Sequence, residues 1–131
     1  MVDERGEIAA MHKGIPQNDV GIRTDVLDNV SKAVGMRMLI RSMTPKVISA
    51  DEIGSNEEIE PINHAICSGV KGIFTAHGSN LEELSINPTL KILLNLHAFE
   101  RIIFLNDKNK KAQISRVYSL NKKTSEYLVM E

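Results

Sequence analysis

Apolar residues recur along the chain in short runs, each closed by polar or charged residues. Val47-Ile48-Ser49-Ala50 runs into Asp51-Glu52-Ile53-Gly54, Gly72-Ile73-Phe74 into Thr75-Ala76-His77-Gly78, and Arg101-Ile102-Ile103-Phe104-Leu105 into a polar, lysine-rich turn from Asn106 to Lys111. Such runs, bounded by turn residues, are the pattern of buried parallel strands. Pro45 ends whatever precedes the first of them, since it lacks an N–H and biases its neighbour away from helix. Residues 1–10 predict a strand whose tip carries Asp3 and Glu4. Residues 11–30 read as loop, because Gly14, Pro16, Asn18, Asp19 and Gly21 break any period. Gln113–Leu120 and Tyr127–Met130 predict antiparallel edge strands.

Helical periods lie between these runs. Ser31 predicts an N-cap for a helix over 32–43, with Met36, Leu39, Ile40 and Met43 on the buried face and Arg37 and Arg41 sharing another. Ser55-Asn56-Glu57-Glu58 fits a capping box. The helix after it turns Ile59, Ile62 and Ile66 inward and stops at Gly69, while Pro61 predicts a kink or a delayed start. Ser79 or Asn80 caps a third helix through Leu81 and Leu84. Asn87-Pro88 opens a fourth, with Leu90, Leu93 and Leu94 as its apolar face. Strands alternating with helices predict a three-layer α/β fold with a mostly parallel sheet and a C-terminal antiparallel addition.

Composition narrows the class. The 131 residues suit a single domain with one core, and 42% hydrophobic and 25% charged residues are ordinary for a globular protein. A net charge of −1 offers no global field to select nucleic acid or an anionic membrane. Cys67 is the only cysteine, which excludes an intrachain disulfide and points to a reducing compartment. No stretch approaches the roughly 20 apolar residues of a membrane span, and the N-terminus lacks a signal pattern. The chain opens inside a motif, Met1-Val2-Asp3-Glu4-Arg5, as a fragment of a longer protein would.

Chemistry is expected at the strand tips, because ligands of open α/β sheets sit outside the carboxyl ends of the strands. Asp51 and Glu52 fall at such an end, and adjacent side chains on a strand tip point in different directions. One carboxylate can face a metal while the other faces a water, as at the acidic strand tip of a P-loop ATPase. The same residues also fit an acidic turn leading into a helix N-terminus. His77 closes the second run. Asp19, Arg23 and Asp25 charge the loop of residues 11–30. His64 and Cys67 share a helix face, but two ligands do not make a zinc site, and His12 and His97 have no ligand-like spacing to them. No Gly-x-Ser-x-Gly elbow supports a hydrolase triad. Lys108, Lys110, Lys111, Arg116, Lys122 and Lys123 make the tail basic; few aromatics interleave them, so a solvated face is expected rather than nucleic-acid binding.

Taken together, Arg41-Ser42-Met43-Thr44-Pro45-Lys46-Val47-Ile48-Ser49-Ala50-Asp51-Glu52-Ile53-Gly54, Gly69-Val70-Lys71-Gly72-Ile73-Phe74-Thr75-Ala76-His77-Gly78 and the opening Val2-Asp3-Glu4-Arg5-Gly6-Glu7-Ile8-Ala9 resemble the stage III sporulation protein AA family. The loop from Pro16 to Leu27 belongs to the same likeness, which runs from about Val2 to Leu105. That family in turn resembles the ring ATPases of type II and type IV secretion. The resemblance implies a RecA-like P-loop NTPase core with ATP and Mg2+ as cofactors. It makes Asp51 the magnesium-side acid, acting through the ion's water shell, and Glu52 the catalytic acid of a Walker B tip. Thr75 and His77 would sense the γ-phosphate, Asp3 and Glu4 would form an acidic box beside the nucleotide, and Arg23 or Arg41 would meet nucleotide at a subunit interface. It further implies a homo-oligomeric ring, a hexamer in the full-length protein, acting with the membrane channel proteins of the sporulation apparatus, in the cytoplasm or peripherally at the inner face of the membrane. Ser49 departs from an all-apolar Walker B strand, though its small hydroxyl can bond locally. The larger departure is that Gly-x-x-x-x-Gly-Lys-Ser/Thr occurs nowhere in the chain. The expected activity is therefore the Walker B and sensor half of a motor, inactive in isolation. A RecA-like ATPase acting on nucleic acid and a non-enzymatic interaction module that keeps the fold are the alternatives. Without a central strand, the run 101–105 is expected to close against 72–76, or another chain to fill the gap.

Overall fold

The computed structural model describes residues 1–106 and 113–130. These form two compact units, Met1–His77 and Gly78–Glu131. The first is a parallel sheet in the order β2-β1-β3-β4, built from β1 (Val2–Asp3), β2 (Leu27–Asp28), β3 (Val47–Ala50) and β4 (Lys71–Phe74). Helices α1 (Lys32–Ser42) and α2 (Ile59–Cys67) pack on each other and on these strands. Val2, Ala33, Met36, Leu39, Ile48, Ala50, Ile53, Ile62 and Ala65 make its core. The second unit holds α3 (Leu81–Leu84), α4 (Pro88–Asn95) and an antiparallel sheet of β5 (Arg101–Asn106), β6 (Gln113–Asn121) and β7 (Glu126–Val129). Leu84, Leu90, Leu93 and Phe104 are buried there. The α/β class, the parallel sheet and the C-terminal antiparallel strands are those the sequence predicts.

Several local expectations hold for the expected physical reasons. Ser55 and Glu58 form the capping box at the head of a 3-10 turn, Asn56–Glu58, that leads into α2. Pro61 delays the helix rather than kinking it: α2 starts at Ile59, which leaves the proline in the first turn, where no N–H is required. Gly69 ends the helix at φ +77°, its N–H donating to the Ile66 carbonyl at 3.0 Å. Asn80 accepts from the Glu83 N–H, and Asn87 from the N–H groups of Thr89 and Leu90.

Other expectations need correction. Ser31 occupies the N-cap of α1 but makes no side-chain cap bond. Met43 lies beyond the end of α1 and is 42% exposed, while Ala33 and Gly35 take part in the buried face. The run 72–76 predicts a buried strand, yet Ile73 is 66% exposed, because β4 is the outermost strand of its sheet with β3 as its one partner among the described strands. The run 101–105, expected as a strand of the parallel sheet, pairs antiparallel with β6 in the second unit. A two-residue strand, β2, lies inside the stretch read as loop and pairs in parallel with β1. Lys108, Lys110 and Lys111 of the basic tail lie outside the described residues.

Candidate active site at the carboxyl end of the parallel sheet

Register brings the tips together. Val2 of β1 is paired with Ala50 of β3, and Ala50 with Phe74 of β4. Because the strands are parallel, the residues that follow each pair leave the sheet at one level. Asp3, Glu4 and Arg5, then Asp51 and Glu52, then Thr75 and His77, thus meet at the carboxyl edge.

Glu52 is the centre of this cluster. Its backbone sits at φ +44°, in the left-handed region where Cβ crowds the carbonyl. A non-glycine residue there costs on the order of 1–3 kcal/mol and persists only when its neighbours over-determine it. Here they do. The Glu52 N–H donates to Thr75 Oγ1 at 2.8 Å, the Ile53 N–H donates to the Thr75 carbonyl at 2.8 Å, and Lys32 Nζ donates to the Glu52 carbonyl at 2.7 Å. The turn aims the carboxylate between two nitrogen groups. Arg5 Nη2 donates to Oε2 in a short ion pair, and His77 Nε2 lies 3.2 Å from Oε1. The Arg5 hydrogen bond, with smaller help from its charge and from His77, holds the Glu52 carboxyl below the usual glutamate range, against a desolvation effect of opposite sign. Glu52 therefore stays ionised, the form a general base needs. The His77 side chain is 89% exposed, so water has access to the pair.

The remaining candidates divide by surroundings. Asp51 is half-buried, and no hydrogen bond to its carboxylate is seen among the described residues. Among those residues no group of three or more His, Cys, Asp or Glu could cage a metal ion. A lone, partly exposed carboxylate with free acceptor oxygens suits Mg2+ held through its own waters, since that ion usually keeps several waters and takes substrate phosphate oxygens. Asp3 is fully buried and turned inward: its oxygens accept from the N–H groups of Glu7, Ile8 and Ala9 at 2.8–3.3 Å, which folds the segment after β1 into a tight turn. Glu4 is half-buried on that turn. Arg23 is exposed in the loop before β2. Arg41 is exposed in the last turn of α1 and lines a cleft with Thr44, Pro45, His64 and Ser68. It lies nine residues along the helix from Lys32, about 13 Å of rise. Neither arginine joins the Glu52 cluster.

Sequence reasoning missed Arg5, Lys32 and the pairing of Lys32 with Glu58, which it read only as a helix cap. Arg5 had a signal in plain view, a cation directly after the two acids of the first motif. Lys32 had a subtler one: a cation at the first position of a helix opposes the helix dipole, and no acid in the first turn offsets it. Its offset is tertiary. Lys32 lies 3.4 Å from Glu58 Oε1, and Glu58 also caps the Gly54 and Ser55 N–H groups at 2.7 and 3.0 Å.

A family model described as "Sporulation stage III, protein AA" matches residues 1–125. Stage III sporulation protein AA of Bacillus subtilis (strain 168) is 42% identical over 118 residues, which is 90% of this chain and 38% of that protein. The chain thus spans well under half the length of this relative. No solved structure matches. The motifs that build the Glu52 cluster lie within the matched span, and with nearly the whole sequence covered the chain belongs to the sporulation stage III, protein AA family.

Proposed function

We propose that Met1–His77 forms the water-activating edge of an ATP-hydrolysing motor that serves a secretion-like channel between mother cell and forespore. The family gives the process, sporulation. The chemistry rests on one observation: a glutamate held in a left-handed turn at the carboxyl edge of a parallel sheet, its carboxylate set between Arg5 and His77. MgATP, when bound, supplies the phosphoryl group and the metal that neutralises charge on its oxygens. Asp51 would accept hydrogen bonds from the ion's waters. Glu52 would orient the attacking water and take its proton on Oε1 or Oε2. The Thr75 hydroxyl already accepts from Glu52, and its own proton remains to be donated outward. His77 would report the state of the γ-phosphate to Glu52. Asp3 shapes the turn that carries Glu4 and Arg5 toward the nucleotide. Arg23 or Arg41, both exposed, would act across a subunit boundary of a hexameric ring, in the cytoplasm or at the inner membrane face, against the channel proteins.

In the full-length protein, Glu52→Gln keeps shape and hydrogen bonding but removes the base. ATP binding should persist while turnover falls about 10²–10⁴-fold. Turnover at the parent level in a phosphate-release assay would reject the assignment.

A further inference from the structure

The Glu52 turn is held from two directions. Thr75, just beyond β4, supplies the acceptors for the Glu52 and Ile53 N–H groups, and Lys32, on the first turn of α1, supplies the donor for the Glu52 carbonyl. Lys32 is the only residue of α1 seen to bond Glu52 among the described residues. A lysine that merely neutralised Glu58 would sit closest to that carboxylate. Instead Nζ is 2.7 Å from the Glu52 carbonyl and 3.4 Å from Glu58 Oε1. The Lys32 side chain is 16% exposed and that of Glu58 3%, so the arrangement is sheltered from competing water. Glu58 is itself fixed, because its second oxygen accepts from Gly54 and Ser55, the residues that continue the Glu52 turn. The loop Glu52–Ser55 is therefore pinned at its carbonyl by Lys32 and at its N–H groups by Glu58, and the two pins are paired with each other.

We propose that Lys32 is a positioning residue for Glu52, acting through the main-chain carbonyl, with Glu58 holding the ammonium in place. The inference rests on Glu52 as the base. A strained φ relaxes when one of the contacts that over-determine it is lost, and relaxation swings the carboxylate away from the line between Arg5 and His77. Misplacement of a catalytic group by about 1 Å can cost on the order of 10²-fold. The loss should appear in kcat and spare KM, because Lys32 touches the carbonyl of the base and not the nucleotide.

The test uses the full-length protein with three variants. Glu52→Gln fixes whether the base assignment holds. The double variant Lys32→Met with Glu58→Gln removes both charges together, so no buried carboxylate is orphaned, and the glutamine oxygen can still cap Gly54 and Ser55. Lys32→Arg keeps the charge but replaces a point donor by a planar fork. With Glu52→Gln inactive, the double variant should keep the parent melting temperature and KM for ATP while kcat falls about tenfold or more. Lys32→Arg should fall by less. Amide hydrogen exchange at Glu52 and Ile53 should quicken in both, relative to the β3–β4 ladder. Parent kcat and exchange in a folded double variant would overturn the inference and leave the base assignment standing. Should the double variant fail to fold, the decision passes to Lys32→Arg under the same criterion. Parent turnover in Glu52→Gln would overturn both.

Discussion

A carboxylate between an arginine and a histidine has a defined response to losing either. Arg5 is the largest cause of the lowered Glu52 pKa, so Arg5→Ala should raise that pKa toward the ordinary 4.5. The sign follows from charge: removing a cation disfavours the ionised form. A carboxyl group lowered in the folded state contributes stability above its unfolded value, and that contribution is lost as pH falls through the lowered folded value. Both side chains are more than a third exposed, so the effect on stability is small and the titration is the sensitive readout. Carbon NMR of the Glu52 carboxyl against pH checks it; an unchanged midpoint in Arg5→Ala would show that the ion pair does not form in solution. At this scale the sequence disclosed what local pattern can disclose. Asp51, Glu52, Thr75 and His77 announce themselves as polar residues ending apolar runs. Arg5 and Lys32 do not, because their partner lies 47 and 20 residues away and only the sheet register brings them to it.

Elements were legible where a cap or a proline fixes their ends. The capping box at Ser55 and Glu58, the caps at Asn80 and Asn87 and the stop at Gly69 need only neighbours in sequence. The two-residue β2 escaped because no period can be read from two residues, and the exposure of β4 escaped because a strand's position in its sheet is not a local property. Gly35 is a similar case, a glycine in mid-helix that costs about 1 kcal/mol relative to alanine on propensity alone. Packing explains it. A Cβ there would stand 2.7 and 3.0 Å from the methyl groups of Val2, which is fully buried in β1, and 3.1 Å from Val30. Val2 has nowhere to go, so α1 would be forced off the sheet. We predict that Gly35→Ala destabilises the protein by about 1–3 kcal/mol despite its better helix propensity. The change should appear as a lower urea midpoint at unchanged slope; a midpoint at or above the parent's would mean that β1 yields freely. Because Val2 leads directly into Asp3 and Arg5, the same variant should also loosen the Arg5–Glu52 pair.

At the scale of the whole molecule, the decisive feature is what these residues do not contain. Nucleotide phosphates are held mainly by the backbone N–H groups and lysine of a glycine-rich loop at a helix N-terminus, and no Gly-x-x-x-x-Gly-Lys-Ser/Thr lies in the sequence. The tips of β1, β3 and β4 present acids, a threonine and a histidine, which can act on a phosphate already held but make a poor cradle for one. β4 is the outermost strand of its sheet with Ile73 two-thirds exposed, and β5 is the outermost strand of the other. Outer strands with exposed apolar residues invite further pairing. The sequence foretold the strands, yet it did not foretell that β5 would pair antiparallel with β6 among the described strands, since direction and partner depend on which strand is available. Two consequences follow for residues 1–131 studied alone. Concentration-dependent association through strand edges should be visible by sedimentation, and a Lys in place of Ile73, an edge-protecting charge, should reduce it. MgATP should bind no more tightly than about millimolar, roughly −4 kcal/mol, with negligible hydrolysis. Calorimetric titration with MgATP and a phosphate-release assay, with Glu52→Gln as control, decide the matter. Micromolar binding, or hydrolysis that the control abolishes, would mean that the acidic edge holds nucleotide without a phosphate loop, and Arg5 and His77 would then have to be read as phosphate ligands rather than as partners of the base.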